Sequence, residues 1–148
     1  MRVIAFDIGS CRIGVAVSDP GGIIATPLGV WDRIAGVQAQ ARELAQLAAQ
    51  EGAERIVVGM PLSLRGEHEQ AAQEMQRIVE ALRGATDLDV VCWDERMTTA
   101  IAERAMIQDG MKRRQRRNKI DGVAAAVILQ SYLDAGSPST ENETKDTR

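Results

Sequence analysis

RVIAFDIGSCRIGVAVS, residues 2–18, is the stretch that decides the architecture. Residues 2–7 (RVIAFD) are rich in branched apolar side chains and read as a buried strand. Gly9 and Ser10 break the run, and residues 13–18 (IGVAVS) read as a second strand. A parallel crossover needs a dozen or more residues, and only a few separate these two segments. They must therefore pair antiparallel as a hairpin. The Asp19-Pro20-Gly21-Gly22 turn leads into a third extended segment over roughly 23–31, which completes a meander.

Outward from the meander the apolar period changes. Between Ile34 and Glu51, Val37, Ala41, Leu44 and Ala48 recur at helical spacing, and Gly52 marks the stop. Residues 55–58 (RIVV) form a short strand ending at Gly59-Met60-Pro61. A second amphipathic helix runs from Glu67 to Arg83, with Ala71, Met75, Ile78 and Leu82 on one face. Strand five is 88–93 (LDVVCW), a third helix follows Thr98, and 120–133 is a largely apolar helix. From Gly136 the chain is polar and turn-forming, which predicts one domain over 1–136 and a disordered tail over 137–148. This order predicts an α/β fold: a mixed five-stranded sheet, a three-strand meander plus two parallel strands, flanked by helices. Ligands gather at the C-terminal edge of parallel strands. Asp7, Gly59-Met60-Pro61 and Asp94-Glu95-Arg96 fall on that edge.

Composition bounds the function. With 148 residues and 45% hydrophobic content the chain makes one domain with a real core. Aromatics are only 3%, which argues against a broad base-stacking surface. The net charge of −3 is not that of a typical nucleic-acid binder. The charge is uneven, however: KRRQRRNK (112–119) places Lys112, Arg113, Arg114, Arg116, Arg117 and Lys119 in one run. Cys11 and Cys92 form no CxxC pair, which excludes a cysteine-based zinc site and a disulfide framework. The N-terminus reads as a strand, not a signal peptide, and no apolar run approaches the ~18 residues of a membrane span. A cytoplasmic protein with no membrane partner is the expectation.

The carboxylates carry the chemistry. Asp7 closes an apolar strand, where an ionised group is costly without a partner. Asp121 sits in IDGVAAAVIL, on a helix otherwise built for burial. Asp94 and Glu95 are adjacent and leave the strand end in different directions; alternation alone does not choose between them. Each acid taken singly serves equally well as a turn or cap residue. Together they change meaning, because converging carboxylates repel one another and a divalent cation relieves the repulsion. Two such ions ~3.5–4 Å apart activate water and stabilise the leaving oxygen of an in-line displacement at phosphorus. Such a site needs no histidine, and the lone His68 reads as a solvated loop residue.

FDIGSCRIGVAVSD (6–19), VGMPLSLRG (58–66), WDERMTT (93–99) and KIDGVAAAVILQSYL (119–133) together resemble the RuvX/YqgF family. The resemblance covers nearly the whole chain except the tail. It implies an RNase H-like fold and kinship with RuvC-type resolvases. It further implies a nuclease acting on the 5′ end of pre-16S ribosomal RNA or on Holliday junctions, with Mg²⁺ or Mn²⁺, two ions, as cofactor. By that resemblance the active-site acids fall on Asp7, Glu95 and Asp121, and Glu95 is favoured over Asp94. Many members carry Lys or Arg where this chain has Cys11, which weakens the cation count beside the site while leaving Arg12.

For substrate, the basic run 112–119 is the first candidate for phosphate contact, because it leads into the helix that carries Asp121. Arg12 and Arg96 are candidates for the scissile phosphate, with salt bridges to nearby acids as their alternative role. The expected partner is structured RNA or branched DNA; a junction resolvase would act as a two-fold homodimer. Two rivals stand beside the nuclease. An ATP-binding module of the actin and sugar-kinase type needs a second such domain, for which 148 residues leave no room. A non-catalytic RNase H-like binding module would have no use for all three acids.

Overall fold

β1 (Val3–Ile8) is the central strand of a five-stranded sheet of order β3-β2-β1-β4-β5. β2 (Arg12–Ser18) and β3 (Ala25–Asp32) extend it on one side as antiparallel neighbours. β4 (Arg55–Met60) and β5 (Asp89–Asp94) extend it on the other as parallel ones. This is the meander plus two parallel strands expected from the spacing of the apolar runs. The computed structural model describes residues 1–60, 69–94 and 122–135. The helix expected after Thr98, the basic run and the tail lie outside the described residues.

Because side chains alternate along a strand, β1 serves two cores. Ile4, Phe6 and Ile8 face one side, where α1 (Val37–Gln50) and α2 (Glu69–Ala85) bring Leu44, Leu47, Met75, Ile78 and Leu82. Val3 and Ala5 face the other, where a helix over 122–135 lays Ala125, Ile128, Leu129 and Tyr132 on Ala16 and Val57. Burial on both faces is why the β1 sequence reads as a continuous apolar run instead of an alternation.

Turn chemistry fixes the joints. Gly52, at φ 71°, follows α1, and Ala53 N–H donates to Ala48 O (3.0 Å) while Gly52 N–H donates to Ala49 O (3.1 Å). This pair of bonds closes the helix end in a Schellman arrangement. Arg2 adds to it, its Nε donating to Glu51 O at 2.7 Å and so tying the start of β1 to the end of α1. In the β2–β3 turn, the Asp19 carboxylate accepts from Ile23 N–H (2.7 Å) and Ile24 N–H (2.8 Å). Gly22 in that turn has φ 72°, and a Cβ there would stand 2.8 Å from Met1 O.

Several boundaries differ from the sequence expectation by one to three residues, and two of these differences have a physical cause in the structure. Gly59 and Met60, read as the turn after strand four, belong to β4: Gly59 is in register with Asp7 and Trp93, and Met60 with Asp94. A strand flanked on both sides has its backbone groups taken up by the ladders, which outweighs the weak strand propensity of glycine. α1 begins at Val37 instead of Ile34, because Ile34 N–H donates to Gln40 Oε1 at 3.0 Å and Gly36 holds φ 95°. The sheet also carries a bulge: Val15 pairs with Gly29 and Ala16 with Pro27, leaving Leu28 as the extra residue on the edge strand.

Candidate active site

Asp7 is the one ionisable residue of β1, and it is partly buried. Its in-register neighbours are Gly14 on β2 and Gly59 on β4. One strand further out these pair with Val30 on β3 and Trp93 on β5. Residues in register across a sheet project to the same face, so the row reads Val30, Gly14, Asp7, Gly59, Trp93. The next row toward the start of β1 reads Pro27, Ala16, Ala5, Val57, Val91. That second row is filled by Ala125, Ile128 and Leu129. At the level of Asp7 the adjacent strands present bare backbone. Side chains resume at Val30 and Trp93, each two strand spacings, about 10 Å, from Asp7.

The helix over 122–135 is fixed to this face at several points. Gln130 accepts from Ala25 N–H (2.9 Å) and donates to Ile23 O (2.9 Å), which ties it to the start of β3. Trp93 Nε1 donates to Ser131 Oγ (3.2 Å), and its ring meets Tyr132 edge-on at 5.4 Å, which ties it to β5. Arg55 Nη1 donates to the Tyr132 hydroxyl at 2.7 Å, beside Asp89. Burial on its own lowers the basicity of Arg55. The Tyr132 hydroxyl and the Asp89 carboxylate outweigh that loss, and the guanidinium is held above its ordinary range. At the other end, a Cβ on Gly122 would sit 3.8 Å from Pro27 and 4.0 Å from Val30. The described helix thus runs antiparallel to β1, with Gly122 toward the edge where β1 ends, near the level of Asp7.

Arg12 lies on the same face as Asp7, one pleat beyond Gly14 toward that edge. Asp7 and Arg12 are the two expected site residues that the structure describes, and it brings them to one face and one edge. Glu95, Arg96, Asp121 and the basic run from Lys112 through Arg113, Arg114, Arg116 and Arg117 to Lys119 lie outside the described residues. Among the described residues no three of His, Cys, Asp and Glu gather into a metal-binding group, and no helix is long and apolar enough to cross a membrane. Sequence reasoning passed over Gly14 and Trp93. The signal for Gly14 was present, since a glycine inside a strand marks a close approach or a bulge. Nothing in the sequence distinguishes Trp93 from an ordinary core aromatic.

A 3-2-1-4-5 mixed sheet, with an acid at the end of its central strand and a helix laid over the acid's face, defines an RNase H-like protein. Solved structures of the same fold include Thermus thermophilus RuvC in complex with a Holliday junction substrate (TM-score 0.57, 17% identity, covering 93% of this chain and 97% of that one). The fowlpox virus resolvase with its substrate Holliday junction DNA is similar to the same degree (TM-score 0.56, 13% identity, covering 93% and 99%). More specifically, the chain belongs to the RuvX family, described as Holliday junction resolvase, whose model matches residues 1–135. Its relatives include proteins named "Putative pre-16S rRNA nuclease". That of Desulforamulus reducens is 39% identical over 137 residues, 93% of this chain and 99% of that protein. That of Symbiobacterium thermophilum is 43% identical over 135 residues, 91% and 93%.

Proposed function

We propose that the chain is a divalent-metal-dependent endonuclease of the cytoplasm that hydrolyses phosphodiester bonds at the 5′ end of pre-16S ribosomal RNA. The observation that carries this reading is the row around Asp7: a partly buried carboxylate on the central strand, flanked in register by two glycines. An oxygen donor set of this kind suits Mg²⁺ or Mn²⁺. Asp7, Glu95 and Asp121 are the proposed ligands. Asp94, which precedes Glu95 in sequence, ends β5, and Gly122, which follows Asp121, is the first described residue of the helix; both lie toward the edge that carries Asp7, which supports the reading. When bound, two ions supply an activated water and charge stabilisation at phosphorus. The chain's own part is to hold the carboxylates apart from bulky neighbours and to present Arg12 to a phosphate oxygen on the same face. Arg96 and the basic run 112–119 extend that phosphate track.

The RuvX family description and the resolvase folds favour a second reading, symmetric cutting of a four-way DNA junction. That reaction requires a two-fold dimer, whereas trimming an RNA end requires one active site.

The deciding experiment incubates the purified chain and Asp7→Asn, with Mg²⁺ or Mn²⁺, against 5′-extended 16S precursor RNA and a four-way junction. The wild-type chain is expected to cut the RNA. Asp7→Asn is expected to lose about 3 kcal/mol or more of transition-state stabilisation, at least ~100-fold in rate, while still binding RNA. Symmetric junction cleavage with intact RNA would replace the RNA assignment by the resolvase one. Full activity of Asp7→Asn would remove the carboxylate mechanism.

A further inference from the structure

Arg33, the first residue after β3, makes two hydrogen bonds to the turn between β1 and β2. That turn, Gly9-Ser10-Cys11, joins Asp7's strand to Arg12's strand. Internally it is closed by Gly9 N–H donating to Arg12 O at 2.8 Å. Its other two described carbonyl contacts come from Arg33: Nη1 donates to Gly9 O at 2.8 Å, and the backbone N–H donates to Cys11 O at 2.9 Å. The side chain is then anchored from behind. Its Nε donates to Gln40 Oε1 at 3.2 Å, and its Nη2 lies 3.4 Å from Glu74 on α2. Gln40 is wholly buried and is itself held, accepting from Ile34 N–H and donating to Glu43 at 3.0 Å.

Behind the turn the described residues leave a space. A cleft of about 420 Å³ opens there, lined by Ile8, Gly9, Ser10, Arg33, Glu74 and Met75. Among the described residues, side chains leave this space unfilled, so the Arg33 hydrogen bonds and the Gly9–Arg12 closure are the described restraints on the turn. Gly9 is two residues from Asp7, and displacements near 1 Å at a reacting group cost up to roughly 100-fold in rate.

We infer that Arg33 is a positioning residue for the nuclease site: from the opposite face of the sheet it braces the β1–β2 turn and so fixes Asp7 and Arg12 relative to one another. This rests on the nuclease reading for its effect on rate, but not for its effect on the turn. The brace is the Gly9 contact anchored on buried Gln40. Glu74 is half exposed and contributes a surface ion pair of little energetic weight.

The test compares Arg33→Ala, Arg33→Lys and Glu74→Gln with the wild-type chain by amide hydrogen exchange, Mn²⁺ titration, thermal melting and RNA cleavage. Arg33→Ala is expected to speed exchange at residues 8–12 by about tenfold or more, leave residues 3–6 protected, and weaken Mn²⁺ binding. Its kcat should fall roughly 10- to 100-fold with KM within about twofold. Arg33→Lys keeps a cation for Gly9 O but loses the fork that also reaches Gln40, and should fall between; Glu74→Gln should match the wild type. Wild-type exchange at 8–12 in Arg33→Ala would overturn the inference. So would a loss of protection spread evenly over β1, or a kcat loss explained by global melting. Failure of the wild-type chain to cut any nucleic acid would remove the nuclease reading alone, and exchange at 8–12 would still decide the brace.

Discussion

The neighbourhood of a single side chain, Asp7, supports the role proposed for it. Gly14 and Gly59 stand in register on either side of it. Gly14→Ala should raise strand propensity slightly, by roughly 0.5–1 kcal/mol, yet place a methyl group beside the carboxylate. The expected result is a roughly 10- to 100-fold loss of cleavage and weaker Mn²⁺ binding in a variant that its melting curve shows to be folded. Unchanged cleavage in both Gly14→Ala and Gly59→Ala would mean the bare floor has no part in the site. Asp19 acts on stability instead. Backbone N–H bonds from Ile24 and then Ile23 hold its carboxyl below its ordinary range, and Gly21 adds to this. A lowered pKa in the folded state means stability that is present above the ordinary value near 3.8 and lost as pH falls through the lowered one. Asp19→Ala should therefore melt earlier than wild type at pH 7, with the gap closing as the pH is taken below 3.8. A gap independent of pH would show that the carboxylate's charge is irrelevant to the turn. Asp7 was legible in the sequence because an acid ending an apolar strand is costly. Arg33 was not: an arginine after an edge strand has no sequence mark separating it from a solvated one, and its role depends on a turn 24 residues away.

At the level of elements, the sheet was readable because two constraints left little choice. A short link forces a hairpin, and helices between later strands force parallel pairing with right-handed crossovers. The β4 boundary was misread at Gly59-Met60 because a ladder contributed by other strands is invisible to local propensity. The docking of the helix over 122–135 was half readable. Its apolar spacing predicted burial, but Gln130, Ser131 and Tyr132 find partners on Ala25, Trp93 and Arg55, up to 105 residues away in sequence. On the proposed reading this helix would couple stability to function, since Asp121 immediately precedes its first described residue, Gly122. Leu129→Ala, at a wholly buried position, should cost about 2–5 kcal/mol. Tyr132→Phe, which takes the acceptor from a largely buried Arg55 Nη1, should cost about 1–3 kcal/mol. Urea unfolding measures both costs. If the helix positions a ligand, cleavage in Leu129→Ala should fall by more than the loss of folded protein accounts for. Proportional losses would mean the helix only holds the sheet together.

For the whole molecule, the unresolved tension is charge. A chain of net charge −3 must bring its acids close to a polyanion, and unscreened repulsion would oppose every encounter. Two features of its distribution answer this. The acids proposed for the site are those whose charge a divalent cation neutralises, and six basic residues are gathered into the single run 112–119. Affinity for RNA should therefore depend on that run out of proportion to its length and should fall steeply with salt. Each phosphate contact on a single strand contributes about 0.7 to the slope of log K against log salt. Replacing Arg114, Arg116 and Arg117 with Gln should therefore reduce the slope by about 2, weaken binding to different RNA sequences alike, and leave melting unchanged. Filter binding of a labelled precursor fragment between 50 and 200 mM salt, a range over which such contacts dominate, measures it directly. An unaltered slope would make the run a solvated linker and shift the proposed phosphate track to Arg12 and Arg96. A junction substrate should steepen the wild-type slope further, because duplex DNA contributes about 0.9 per contact and a two-fold dimer would present two such runs. A junction slope that exceeds the RNA slope by more than the ratio of about 0.9 to 0.7 would therefore mark two runs engaged at once.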